Sequence, residues 1–226
     1  MSISLFDVTG PVMIGPSSSH TAGAAKLSRM AALLCGGAFE KVTFGLHGSF
    51  ARTYLGHGTD RALAAGALGL PEWDDRLRHA FDIARRRGVV CEFYETVLQD
   101  AHENSVLMTF YRKDGTQCQV EGCSLGGGRV CIRKLDGFDV ELYCERPTVM
   151  VLHGDVPGIL GRITACAADH GLNIALLRST RRKRGDVACC IIETDEQVGQ
   201  DLRRSMEQIP CVLRVEVIDP MSGGAG

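Results

Sequence analysis

Apolar residues recur at Ala24, Leu27, Met30, Ala31 and Leu34, close to one helical turn apart, and Gly36-Gly37 ends the run. The spacing predicts a helix over 19–35, with a serine hydroxyl just before it as the cap. In KVTFGLHGS the period drops to two. Val42, Phe44 and Leu46 share one side, so a strand is expected, with His47 at or just past its end. GHGTDRALAAGALGL reads as a loop and then a short helix that Thr59 or Asp60 could cap. A further helix is predicted from Asp74 to Arg87, with Trp73, Leu77, Phe81 and Ala84 on one face and Gly88 as its stop.

From Val89 the alternation is strand-like through VVCEFYE, SVLMTFYRKDGTQCQVEG and RVCIRKLDGFDVELYC. Asp114-Gly115 and Asp136-Gly137 fall between alternating runs, a strong hairpin signal, so the segment to Cys144 is expected to be largely antiparallel sheet. Gly126-Gly127-Gly128 is entropically expensive and implies unusual dihedrals or a close approach. Pro147 in CERPT breaks both helix and sheet, which suits a linker. Beyond it the pattern reads strand, helix, strand, strand, helix, strand, a ferredoxin-like βαββαβ module with Pro157 in the first turn of its first helix. The fold class is α/β (α+β). Helices on a mixed, largely antiparallel sheet occupy 1–145, a linker 146–148, the βαββαβ module 149–220 and a tail 221–226.

A chain of 226 residues accommodates two such domains, each with an adequate core. Its formal net charge of -2 gives no field for nucleic acid or an anionic membrane, and the basic run Arg181 to Arg184 is read as a solvated hairpin tip. No apolar run reaches the roughly 20 residues of a membrane span. Asp7 interrupts the apolar start, which does not suit a secretory signal, so the cytoplasm is expected. Most of the ten cysteines alternate with Val, Ile or Leu and none forms a CxxC, so they are read as buried reduced thiols rather than metal ligands of this chain.

Ser17, Ser18, Ser19, His20 and Thr21 precede the first helix. A cap needs one hydroxyl, and the first turn of a helix attracts carboxylate or phosphate. His20 adds a group that donates, accepts and titrates near neutral pH, while the absence of Gly-Lys before Thr21 excludes a P-loop. HGSFARTYLGHGTDR then carries His47, Ser49, Arg52, Thr53, His57, Thr59, Asp60 and Arg61 among glycines, the setting of a ligand site at a strand end. His102, Glu103 and Asn104, and also Arg129, read more simply as turn and surface residues. In the small module, Asp155 and Gly158 flank the first helix start and Asn173 the second strand. They could meet near one edge to take an amino acid, or form ordinary turns with Gly171 at a helix end.

GPSSSHT, HGS with GHGTD, HENS, GCSLGGGRV and the closing βαββαβ pattern, in this order, resemble the beta subunit of bacterial iron–sulfur-dependent L-serine dehydratase. The resemblance runs over essentially the whole chain. It implies an allosteric-substrate-binding-like first domain, as also found in some D-3-phosphoglycerate dehydrogenases, and an ACT domain. The implied activity is a lyase converting L-serine to pyruvate and ammonia without PLP. A [4Fe–4S] cluster ligated by a partner alpha subunit would act as Lewis acid, with the use of a monovalent cation left open. His20, His57 and His47 would then serve catalysis, and Ser17, Ser18, Ser19, Thr21, Thr59 and Asn104 substrate binding. His153, Asp155, Gly158 and Asn173 match effector positions of ACT domains, through which the chain is expected to dimerise. The alternative is a stand-alone amino-acid sensor without catalysis, distinguished by whether a cysteine-bearing partner is encoded alongside.

Overall fold

A computed structural model describes residues 17–220. Gly15 and Pro16 of the first motif, the N-terminal stretch and the tail 221–226 lie outside the described residues. Contacts divide the chain into two compact units. One extends to Asp136 and includes Glu141–Tyr143; the other comprises Gly137–Val140 and resumes at Cys144.

In the first unit α1 (Ala22–Cys35) is followed by β1 (Lys41–Leu46), α2 (Gly48–His57), α3 (Thr59–Ala67), a 3₁₀ turn (Asp75–His79) and α4 (Ala80–Arg87). Then come β2 (Val90–Glu95), β3 (Ser105–Tyr111), β4 (Gln117–Gly126) and β5 (Arg129–Leu135), followed by β6 (Phe138–Leu142), of which Phe138–Val140 count with the second unit. The sheet order is β2-β1-β3-β4-β5-β6. β1 runs parallel to β2 and antiparallel to β3. A parallel pair needs a long crossover, which α2, α3 and α4 supply. The periodic face of α1, Ala24, Leu27, Met30, Ala31 and Leu34, has no exposure to solvent. Each large aliphatic side chain so buried is worth about 1.5–3 kcal/mol.

Several details differ from the sequence expectation. α1 starts at Ala22, and Thr21 at its N-cap makes no side-chain capping bond; 17–21 form a turn instead. The stretch from Ser49 to His57, for which apolar spacing predicts no helix, is helical. Glycines at Gly48, Gly56 and Gly58 hide this helix from propensity, and its N–H groups are met by a distant carbonyl. Neither Thr59 nor Asp60 caps α3; Gly58, in the left-handed region, occupies that position. The helix expected over 74–87 is a 3₁₀ turn capped by Asp74, then α4. Trp73 and Phe81, expected on its buried face, are exposed, while Leu77 and Ala84 are buried. Asp136-Gly137 has positive φ at both residues, as a tight hairpin requires, and Gly126, Gly127 and Gly128 are all positive as well.

The cysteine expectation is corrected at one pair. Cys35 and Cys118 are disulfide-bonded, joining the end of α1 to β4. Sequence alternation cannot show this, because the two thiols meet only through the packing of helix on sheet. The other eight cysteines remain thiols, with Cys211 exposed and Cys91 and Cys166 half-buried. Burial pushes the Cys91 and Cys123 thiols up to about 11 and the Cys190 thiol to about 12.

The second unit has the βαββαβ order: β7 (Thr148–Gly154), α5 (Ile159–Asp169), β8 (Ile174–Arg181), β9 (Val187–Thr194), α6 (Gln200–Glu207) and β10 (Val212–Ile218). Its sheet order is β10-β7-β9-β8. Val149, Val151, Cys190, Ile192 and Val215 pack with Ile163, Leu202 and Met206 as its core. α5 begins after Gly158, at φ 82°, so Pro157 precedes the helix rather than lying in its first turn. Thr148, expected in the linker, opens β7, and the Pro147 carbonyl accepts the Thr194 N–H at 2.9 Å.

Candidate functional site

Four of the sequence motifs converge in the first unit. The Glu103 carbonyl accepts the Ser49 N–H at 2.6 Å and the Phe50 N–H at 3.4 Å, so HENS caps the helix that HGS begins. The Asn104 carbonyl accepts the Ser124 N–H at 3.0 Å, which ties HENS to GCSLGGG. Ser124 in turn lies under the first turn of α1. A Cβ on Gly23 would stand 2.2 Å from its Oγ, so only glycine permits this approach.

His20 stands at the centre and is nearly buried. Its Nδ1 is 2.9 Å from Ser17 Oγ and 3.5 Å from Ser19 Oγ, its Nε2 is 3.2 Å from Ser49 Oγ, and the two serine hydroxyls are 3.1 Å apart. The ring packs edge-on against Phe50 and His57, with centroids at 5.2 and 4.8 Å. Burial, then the neighbouring His57, holds its pKa below the usual value against an opposing hydrogen bond from Ser49. The lowered value favours the neutral ring, with a serine hydroxyl against each of its two nitrogens.

Thr21 Oγ1 donates to the His57 carbonyl at 3.3 Å, fixing the end of α2 against the start of α1. His57 Nδ1, Thr59 Oγ1 and Ser124 Oγ are buried without a hydrogen-bond partner. The Asp60 carboxyl is pushed up by burial, against the Arg61 N–H and guanidinium, and its Oδ1 accepts the Arg61 N–H at 2.8 Å.

The remaining candidates have other local duties. Ser18 contributes its carbonyl to the Gly23 N–H, and the Ser17 carbonyl accepts from His20 and Thr21, so these amides are already satisfied. An anion would meet hydroxyls rather than these amides. His47 Nδ1 accepts the Leu98 N–H at 3.1 Å, which leaves the proton on Nε2. Asn104 donates its N–H to His102 Nδ1 at 3.1 Å. The roles of Ser49, Phe50 and Ser124 emerge only from the fold: Ser49 is one polar residue among many in HGSFARTYLGHGTDR, and Ser124 is an unremarked member of GCSLGGGRV.

In the second unit the expected meeting of Asp155 with Asn173 does not occur within one chain. β7 and β8 both pair antiparallel with β9 and so run parallel. Asp155 follows the end of β7 and Asn173 precedes the start of β8, roughly 20–25 Å apart along the strands. Asp155 Oδ2 instead accepts Arg181 Nη1 at 2.7 Å and the Gly185 N–H at 2.9 Å, contacts that hold its carboxyl below the usual range. Asn173 Nδ2 donates to Asp195 at 2.7 Å and its N–H to Glu196 at 2.8 Å. His153 is buried, with Nδ1 on the Gly154 carbonyl at 2.9 Å and Nε2 unpartnered.

Comparison with known proteins places these motifs. Residues 4–76 match the family model described as serine dehydratase beta chain. The probable L-serine dehydratase beta chain of Bacillus subtilis is 35% identical over 95% of this chain and 97% of its own length. The chain belongs to the serine dehydratase beta chain family. A second family member, the L-serine dehydratase beta chain of Peptoniphilus asaccharolyticus, is 36% identical over 90% of this chain and 92% of its own. The D-3-phosphoglycerate dehydrogenase of Archaeoglobus fulgidus is 23% identical over 87% of this chain but 37% of its own length. Among solved structures, the ACT domain of the Chlorobium tepidum GTP pyrophosphokinase covers 32% of this chain and 95% of its own, at 16% identity and a TM-score of 0.28.

The family resemblance raises the question of an iron–sulfur cluster, which needs converging thiolates. Among the described residues no group of three or more His, Cys, Asp or Glu is arranged to hold a metal ion. No described helix is long and apolar enough to cross a membrane.

Proposed function

We propose that this chain is the beta subunit of an L-serine dehydratase, lining one wall of a site that an alpha subunit completes in the cytoplasm. In this reading the alpha subunit ligates a [4Fe–4S] cluster and L-serine is converted to pyruvate and ammonia. The observation that carries the reading is the set of unpartnered polar atoms around a neutral histidine: His57 Nδ1, Thr59 Oγ1 and Ser124 Oγ. Each buried orphan costs about 1–3 kcal/mol, and a polar, hydroxyl-bearing zwitterion would satisfy several at once. Ser17 and Ser19 orient the His20 ring, and its neutral state suits it to take a proton. Ser18, Thr21 and Asn104 act by shaping the wall.

For the second unit, the unpaired edge of β8 supports dimerisation. Two copies joined antiparallel along that edge would bring Asp155 of one toward Asn173 of the other, the arrangement an amino-acid effector would need.

The test is co-expression with a serine dehydratase alpha chain, anaerobic purification, and a serine deaminase assay with pyruvate as readout. His20→Ala is expected to lower turnover at least 100-fold while the complex still assembles. Full turnover in that variant would exclude His20 from the chemistry. Serine binding by the isolated chain, with no turnover in any complex, would support a sensor instead.

A further inference from the structure

We propose that Cys35 and Cys118 form a reversible redox lock on α1, a thiol–disulfide modification site outside the substrate wall. Cys35 is the last residue of α1 and Cys118 the second of β4, with Cα atoms 5.6 Å apart and a sequence separation of 83. Gly23 lies over Ser124 and Leu27 over Gly122, so the helix runs back along the strand to which Cys35 is bonded. α1 is thus held by close packing where His20 stands and by a covalent bond at its far end. Arg112 adds a polar clasp there, donating to the carbonyls of Cys35 and Gly36.

Two further observations separate this pair from the other cysteines. Cys123 and Cys131 also face each other directly across β4 and β5, yet both remain thiols, and Cys131 Sγ donates to the Ile132 carbonyl. Apposition alone therefore does not account for the bond at Cys35. The segment after Cys35 is Gly36-Gly37, with φ of 60° and 72°, a hinge on which the last turn of α1 can open. Such opening is required, because both half-cystines are almost completely buried. In a reducing compartment a disulfide that exchanges is a sensor rather than a permanent staple.

The exchange balances without further reactants. Reduction by a small dithiol begins when its thiolate attacks one Sγ, breaking the S–S bond and releasing the other as a thiol. The second reductant thiol then displaces the mixed disulfide, leaving two protein thiols and an oxidised reductant. Oxidation by a low-molecular-weight disulfide reverses this, closing the bond and releasing two small thiols. The oxidised state fixes α1; the reduced state leaves its end to Arg112 and packing. Any effect on turnover rests on the proposed function, whereas the lock does not.

The test uses the full chain. After incubation with glutathione disulfide, denaturation and alkylation with iodoacetamide, intact mass is expected to show eight adducts of the ten cysteines, and ten after dithiothreitol. Peptide mapping should recover the 35–118 crosslink. Closing so long a loop should raise the native melting temperature of the oxidised form by about 5–10 °C. The C35S/C118S variant should lose that shift and C123S/C131S should retain it. Ten adducts after glutathione disulfide, or identical melting of oxidised and reduced wild-type chain, would overturn the proposal.

Discussion

Gly66→Ala probes the spacing between the two helices that carry the candidate site. Gly66 lies inside α3, where alanine is intrinsically better than glycine by about 0.8–1 kcal/mol. Packing reverses the sign. A Cβ at Gly66 would stand 2.1 Å from the Ala25 carbonyl oxygen, 2.9 Å from its carbon and 3.0 Å from the Arg29 nitrogen. All three are backbone atoms of α1, so no rotamer change relieves the overlap. Either α1 and α3 move apart by about 1 Å or the chain tolerates a severe contact, and overpacking of this kind costs about 1–3 kcal/mol or more. A net loss of about 2 kcal/mol is expected after the propensity gain. Gly161→Ala in α5 is the control, since nothing lies within 4 Å of its Cβ position. There the propensity term acts alone, and a gain of about 0.5–1 kcal/mol follows. Urea unfolding monitored by circular dichroism measures both variants. If Gly66→Ala proved as stable as the parent, the close approach of α1 to α3 would be wrong.

Three further outcomes follow. Gly23→Ala should push Ser124 aside, lowering stability by about 1–2 kcal/mol, and Ser124→Gly in the same chain should recover most of the loss, as a double-mutant cycle by urea unfolding would show. Thr59→Val removes a buried hydroxyl without a partner, so stability should hold or rise by up to about 1 kcal/mol while serine turnover in the assembled enzyme falls; a falling melting temperature would mean that the hydroxyl has a partner. Because the His20 pKa is lower folded than unfolded, its stabilising contribution is full above the ordinary histidine value of 6.5 and is lost as pH falls through the folded value. His20→Gln should flatten that part of the stability–pH curve, which chemical denaturation between about pH 4 and 8 would measure.

Periodicity made most elements legible: α1, β1, the hairpins at Asp114-Gly115 and Asp136-Gly137, and the βαββαβ unit all read directly from apolar spacing. α2 did not, because its helical residues are flanked by glycines and only Phe50 among them is buried. Its start depends on the Glu103 carbonyl, more than fifty positions away in sequence, which no local signal encodes. The same non-locality hid Ser124, whose importance comes from lying beneath Gly23 rather than from its own neighbours. His20 and His57 were legible as unusual polar residues, but their edge-on contact was not. Asn173 and Asp155 show the converse error: two loop residues in similar settings were expected to meet, and the parallel course of β7 and β8 separates them.

The pattern of unsatisfied groups argues that the wall around His20 is arranged for something absent from this chain. Some buried orphans have local explanations. Arg29 Nε belongs to a guanidinium that already bonds Glu72 at 3.1 Å and stacks on Trp73, and His153 has its other nitrogen on a carbonyl. His57 Nδ1, Thr59 Oγ1 and Ser124 Oγ have no such compensation, and they occur where three sequence motifs meet. At about 1–3 kcal/mol apiece they cost on the order of half the net stability of a typical domain. Valine at Thr59 or alanine at Ser124 would abolish two of these costs with little change in shape. A fold that keeps the hydroxyls gives up stability to hold donors and acceptors ready, and filling the wall is therefore expected to stabilise it. Serine added to the assembled enzyme should raise its melting temperature, and that shift should shrink when Thr59 and Ser124 lose their hydroxyls.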